Sequence, residues 1–104
     1  MFAKTKIKTI DDEVLFELSN DISIILHLND PPFSSRLVLE KNSSEIMAVS
    51  VSFATAEKIQ NYAKTMVVTS MENSNSVIEL LTELKLKKFV SEVETALQYT
   101  DMSP

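Results

Sequence analysis

The residues that could carry acid–base or nucleophilic chemistry are few. The chain has one histidine, His27, and no cysteine. Histidine is well suited to proton transfer near neutral pH, but general acid–base catalysis also needs a positioned partner. No neighbour in the sequence supplies that partner, so we expect His27 to be a surface or packing residue and we predict no catalytic residue.

A run of three carboxylates, Asp11, Asp12 and Glu13, could supply oxygen ligands to a hard cation. Consecutive side chains point in different directions in a turn, and the Asp-x-Asp-x-Asp spacing of loop sites is missing. We therefore predict no metal site and interpret the run as part of a solvated turn.

The 104 residues include no glycine. Glycine reaches positive φ and close backbone approach without steric cost, and ordinary proteins contain roughly 7% of it. Phosphate-binding loops, dinucleotide-binding turns, nucleophile elbows and EF-hand loops all require glycine at fixed positions. The composition therefore predicts a protein that is not an enzyme and that has no cofactor.

The net charge of −5 at pH 7 is unevenly distributed. Between Thr9 and Ser35 there are six acidic residues and no lysine or arginine. This pattern argues against direct binding of nucleic acid and favours a protein partner with a basic surface. Because the chain has no cysteine and no apolar run near the ~20 residues of a membrane span, we expect a cytoplasmic protein without membrane contact.

The first half of the chain has the two-residue period of strands with one face in a core. Two hairpins are predicted, closed by residues 19–21 and 42–44, and a weaker strand is predicted over residues 2–10, with lysines that protect a sheet edge. The predicted inward residues are Val14, Phe16, Leu18, Ile22, Ile24, Leu26, Leu28, Met47, Val49, Val51 and Phe53.

After Phe53 the apolar spacing becomes helical. A first helix is predicted with Thr55 as N-cap, and a second is predicted to open at a capping box of Ser76 and Glu79. In a single straight helix, the apolar residues before residue 85 and those after it would point to opposite sides. A second box begins at Ser91, so we predict two helices with a break near residues 85–88. One long helix held between the sheet and a second chain is the alternative.

Strands first and helices second predict an α+β fold. We expect an antiparallel sheet of four to five strands, arranged as an N-terminal meander, followed by two to three helices packed on the sheet. Hydrophobic residues make up 44% of the chain and charged residues 24%, which is typical of a single globular domain over residues 1–104.

The face of the strands that alternates with the core is the candidate binding surface. It combines a few apolar residues, including Ile46, with small ones and a margin of acids, which resembles an interaction patch. Alternatively, the last helix covers this face. The predicted partner-binding residues are Asp11, Asp12, Glu13, Leu15, Glu17, Ile25, His27, Val38 and Glu40.

Three functional hypotheses follow. The leading one is a small, acidic, non-enzymatic protein-binding module that inhibits or regulates a basic partner, such as a nucleic-acid-binding protein. By size and charge alone it is analogous to toxin-immunity proteins and phage-encoded inhibitors of host defence. The second is a homodimeric structural or regulatory module joined through the sheet face or the C-terminal helices. The third is a small-ligand binder or enzyme that uses His27.

Overall fold

A computed structural model describes residues 6–10, 12–29, 33–69 and 74–101 of the chain. Five strands precede three helices, which confirms the predicted α+β class and its order along the chain. The strands are β1 (Lys6–Ile10), β2 (Glu13–Glu17), β3 (Ile22–His27), β4 (Ser35–Lys41) and β5 (Ser44–Val51), and the helices are α1 (Phe53–Thr69), α2 (Ser74–Glu83) and α3 (Lys87–Asp101).

The strands form one antiparallel sheet in the order β1-β2-β3-β4-β5. Each strand pairs with its neighbour in sequence, as short connections favour. The predicted meander is therefore confirmed, and β1 is one of its edges, as the lysine pattern indicated. Residues 2–5 of that predicted strand lie outside the described residues.

The two hairpins turn without glycine by different means. In the β2–β3 hairpin the Ser19 hydroxyl donates to Asp21 Oδ1 at 3.0 Å and accepts the Ile22 N–H at 3.2 Å. A side chain thus replaces a backbone hydrogen bond of the turn. In the β4–β5 hairpin Asn42 and Ser43 have φ angles of 54° and 66°. Two consecutive positive φ angles are typical of the tight turn whose twist matches its strands.

The helices pack on one face of the sheet, here called the inner face, and close a single apolar core with it. Alternate residues of β2, β3 and β4 point into this core, as the period of two predicted. The buried cluster contains Val14, Phe16, Leu18, Ile22, Ile24, Leu26, Leu37, Leu39 and Val51 from the sheet, and Ala56, Ile59, Ala63, Val77, Leu81, Phe89, Val90, Val93 and Ala96 from the helices.

A tight turn at Lys85 separates α2 from α3. Lys85 has a φ of 63°, its N–H donates to the Thr82 carbonyl at 3.0 Å, and the Leu86 N–H donates to the Leu81 carbonyl at 3.1 Å. This pair of bonds is the Schellman motif, in which glycine usually takes the left-handed position. The turn redirects the chain, so Phe89 reaches the same core as Leu81. The prediction of two helices is confirmed, and the alternative of one long helix is wrong.

The start of α1 differs from the prediction. The Ser52 hydroxyl oxygen accepts the Thr55 N–H at 3.2 Å, and the Ser52 carbonyl accepts the Ala56 N–H at 2.9 Å. Ser52 is therefore the N-cap, and Thr55 lies in the first turn. Phe53, predicted as an inward strand residue, is instead the first helical residue and is 44% exposed.

The other two helices also start earlier than their capping boxes predicted. Helix α2 begins at Ser74, so Ser76 lies in its first turn. Helix α3 begins at Lys87, directly after the Schellman turn, so Ser91 lies in its second turn. None of the helices within the described residues is both long and apolar enough to cross a membrane.

Candidate functional site

The opposite side of the sheet, here called the outer face, presents three rows of side chains that run across the strands. Strand pairing places Lys8, Leu15, Ile25, Val38 and Ala48 in one central row. A polar row lies on each side of it. One row contains Glu13, His27, Arg36 and Ser50, and the other contains Glu17, Ser23, Glu40 and Glu45.

The outer face is not covered by the last helix. Helix α3 contacts β4 and β5, and its residues Phe89, Val93 and Ala96 join the core cluster on the inner face. The apolar stripe of α3 therefore packs against the inner face. Leu15 and Ile25 are half-buried, and neither joins the described core that the helices close. The alternative of a covered outer face is wrong.

Val38 is the exception in the central row, because only 2% of it is exposed. The Arg36 guanidinium donates from Nη2 to both carboxylate oxygens of Glu45 at 2.9 Å. Arg36 pairs with Ser50, whereas Glu45 pairs with Glu40, so the bridge crosses the Val38 row from one polar row to the other. We attribute the low exposure of Val38 to the arginine stem, which crosses this row on its way to Glu45.

The open part of the central row forms a shallow hollow of about 90 Å³. Leu15 and Ile25 line it together with Lys8 and Glu13. An apolar floor between one cation and one anion suits an apolar side chain with a polar surround, the arrangement found at the centre of many protein interfaces.

Most glutamates of the outer face already have a partner. Glu13 Oε2 lies 2.9 Å from His27 Nδ1, Glu17 Oε1 lies 3.5 Å from Lys8 Nζ, and Glu45 binds Arg36. Glu40 makes no ion pair with any described residue. Strand pairing places four glutamates against Lys6, Lys8 and Arg36 in these rows, so, with His27 left out of the count, the described outer face is net negative by one charge.

The Glu13–His27 contact supplies the neighbour that sequence reasoning did not find for His27. The two residues are directly opposite each other in the β2–β3 hairpin. That hairpin is symmetric about Asn20, so a count outward from the predicted loop would have paired them. Both side chains are substantially exposed, at 41% for His27 and 54% for Glu13. An exposed pair of this kind is typical of a surface hydrogen bond rather than a desolvated catalytic one.

The structure brings together most of the predicted partner-binding residues. Seven of them share the three rows: Glu13, Leu15, Glu17, Ile25, His27, Val38 and Glu40. Asp12 is exposed in the turn before β2, and Asp11 lies outside the described residues. Sequence reasoning omitted Lys8, Arg36 and Glu45 from the site, although all three form ion pairs on this face.

Ile46 is placed differently from the prediction. The pairing of β4 and β5 shifts register between Leu39 and Glu40, so β5 carries one extra residue at this point. Such a bulge re-aims the side chain beside it. Ile46, predicted on the outer face, is 46% exposed and lines a hollow with Lys88 of α3, which packs on the inner face.

Within the described residues no three histidine or carboxylate side chains come close enough to hold a metal ion. No protein family model, no curated protein and no solved structure matches the chain.

Proposed function

We propose that the chain is a non-enzymatic, cytoplasmic protein-binding module that inhibits or regulates a partner with a basic surface. The observation that carries the proposal is the uncovered outer face, where the hollow over Leu15 and Ile25 lies among glutamates. The binding site is this face.

The apolar part of the face supports binding energy. Leu15 and Ile25 are opposite each other in adjacent strands and are only partly screened from water. A partner side chain seated over them would bury apolar surface on both molecules, worth about 25 cal/mol per Å² before the costs of association. Energy at interfaces concentrates in a few such central contacts surrounded by polar groups.

The charged part of the face supports selection of the partner. Complementary potentials speed encounter and disfavour wrong partners more than they add affinity. Glu40 is available to a partner cation directly, whereas Glu13 and Glu17 already contact His27 and Lys8. A basic partner could therefore form an ion pair with Glu40 and would be attracted more generally by the negative potential of the rest of the face.

Affinity capture from the source cell with matched baits tests the proposal. The wild-type chain is compared with Ile25→Lys, which places a cation in the hollow, and with Gln98→Lys, which adds the same charge at an exposed position of α3. We expect one protein to be retained by the wild type and by Gln98→Lys but lost with Ile25→Lys. Equal retention by all three baits would contradict the outer face as the binding site.

Salt dependence of the captured complex tests the electrostatic part separately. We expect Kd to rise between low and high ionic strength, and we expect Glu40→Gln to flatten that rise because it removes a facing charge. A Kd that does not change with salt would contradict a partner with a basic surface. It would still be compatible with apolar binding at Leu15 and Ile25.

A further inference from the structure

The second edge of the sheet is β5, whose one charged residue, Glu45, lies near its beginning. No described strand pairs with β5 on the side away from β4. Its eight residues span about 26 Å, at about 3.3 Å each. Residues 46–51 carry no charge, whereas β1 at the other edge carries lysines. Natural sheets usually guard an edge with charge or cover it, because its free backbone groups pair with other strands.

Two hollows that share Lys88 lie between β5 and α3, and together they are here called the groove. At one end Ile46 and Met47 face Lys88, Ser91 and Glu92 around a hollow of about 380 Å³. At the other end Val49 lies beside a second hollow of about 260 Å³. That second hollow is lined by Lys85, Leu86, Lys87, Lys88 and Phe89. The groove thus has apolar residues along its length, Glu92 at the Ile46 end, Lys85 and Lys87 at the Val49 end, and Lys88 at both.

The opposite charges of the groove are not paired with each other. Neither Lys88 nor Glu92 forms an ion pair within the part of the chain that the structure describes. A two-fold interface brings each patch against its own copy, so it requires complementary groups on the two sides of the axis. If two copies of β5 pair antiparallel, the Ile46 end of one lies beside the Val49 end of the other. Glu92 of each copy then approaches the lysines of its partner.

We propose that the β5 edge and the adjoining groove bind a second copy of this chain. Antiparallel pairing of the two β5 strands makes one sheet of ten strands, and the two α3 helices approach each other with lysine and glutamate groups opposed. An acidic peptide would match the lysines but would be repelled by Glu92, so the mixed charge favours the self-complementary occupant. This interface is separate from the outer face and does not depend on the proposed function.

Sedimentation equilibrium of three charge variants tests the interface. Lys88→Glu and Glu92→Lys each place like charges opposite each other in a symmetric pair, and Lys58→Glu on exposed α1 is the matched control. We expect the wild type and Lys58→Glu to reach twice the 11.7 kDa mass of the chain with similar Kd. Each groove variant should dimerise at least about tenfold more weakly.

An equimolar mixture of the two groove variants makes the test specific. In a mixed pair the introduced lysine faces glutamates and the introduced glutamate faces lysines, so we expect association to recover. Hydrogen exchange of the wild-type β5 amides should also slow as concentration rises through the Kd. A wild type that stays monomeric would overturn the proposal. A dimer indifferent to both groove variants, or one dissociated by Leu15→Lys instead, would also overturn it.

Discussion

The two faces of the sheet are made from alternate residues of the same strands, yet their side chains differ in exposure to solvent. On β2 the inward side chain of Phe16 is 1% exposed, while its neighbour Leu15 remains open to a shallow hollow. Full burial of an apolar side chain stabilises the fold by about 1.5–3 kcal/mol. The inner face therefore supplies the apolar burial that stabilises the fold, whereas the outer face leaves apolar side chains such as Leu15 partly exposed.

The largest expected difference between the two faces is in the free energy of unfolding, and a pair of substitutions on β2 measures it. Phe16→Ala removes a ring from the centre of the core and should lower the free energy of unfolding by about 3–5 kcal/mol. Leu15→Ala on the other face should lower it by about 1 kcal/mol, because Leu15 is only half-buried. Urea unfolding of both variants measures the two effects. Similar losses would mean that the outer face is packed as the inner face is.

A smaller effect is expected where the outer face is shielded by its own arginine. Arg36→Ala removes the stem that covers Val38 and the bond to Glu45, and should cost about 1 kcal/mol. Glu45→Gln keeps the arginine in place and should cost less. Chemical denaturation separates the two variants, and equal costs would assign the effect to the ion pair rather than to the cover over Val38.

The next effect concerns the turn that holds α3 on the inner face. Lys85 adopts a positive φ, which costs a residue with a Cβ about 1 kcal/mol relative to glycine. Lys85→Gly should therefore raise the free energy of unfolding by about 0.5–1 kcal/mol, whereas Lys85→Ala should not. Thermal unfolding of the two variants checks this, and a destabilised Lys85→Gly protein would contradict the Schellman geometry.

The smallest expected effect is the Glu13–His27 contact. Because both side chains are substantially exposed, the coupling energy should be about 0.2–1 kcal/mol. A double-mutant cycle of Glu13→Gln and His27→Gln, with unfolding free energy as the readout, isolates that pair. A coupling well above this range would indicate a desolvated pair and would reopen the hypothesis of a functional histidine.

Much of the fold could be predicted because one face of the strands is buried. Burial forces the alternation seen around Phe16 and Ile24, and that alternation alone distinguishes inward from outward residues. The break between α2 and α3 was also predictable, since Val77 and Val93 would lie about 160° apart on a straight helix and could not face one core. These features depend on patterns that a sequence displays directly.

Other features depend on details that local patterns do not contain. The bulge opposite Leu39 and Glu40 changes which residues of β5 face outward. Because of it, Ile46 lies beside α3 rather than on the outer face. Lysine has no preference for positive φ, so the exact turn at Lys85 had no signal in the sequence. The ion pair between Arg36 and Glu45 could not be predicted either, because its prediction needs both the register of β4 with β5 and the position of that bulge.

Methyl NMR of the wild-type protein tests, without any substitution, whether the outer face of the sheet binds a partner. A soluble paramagnetic probe should broaden the methyl signals of Leu15 and Ile25 in the free protein and spare those of Ile24 and Leu26. Addition of the captured partner should protect the Leu15 and Ile25 methyls from the probe. Broadening of those two signals that persists in the saturated complex would contradict the account.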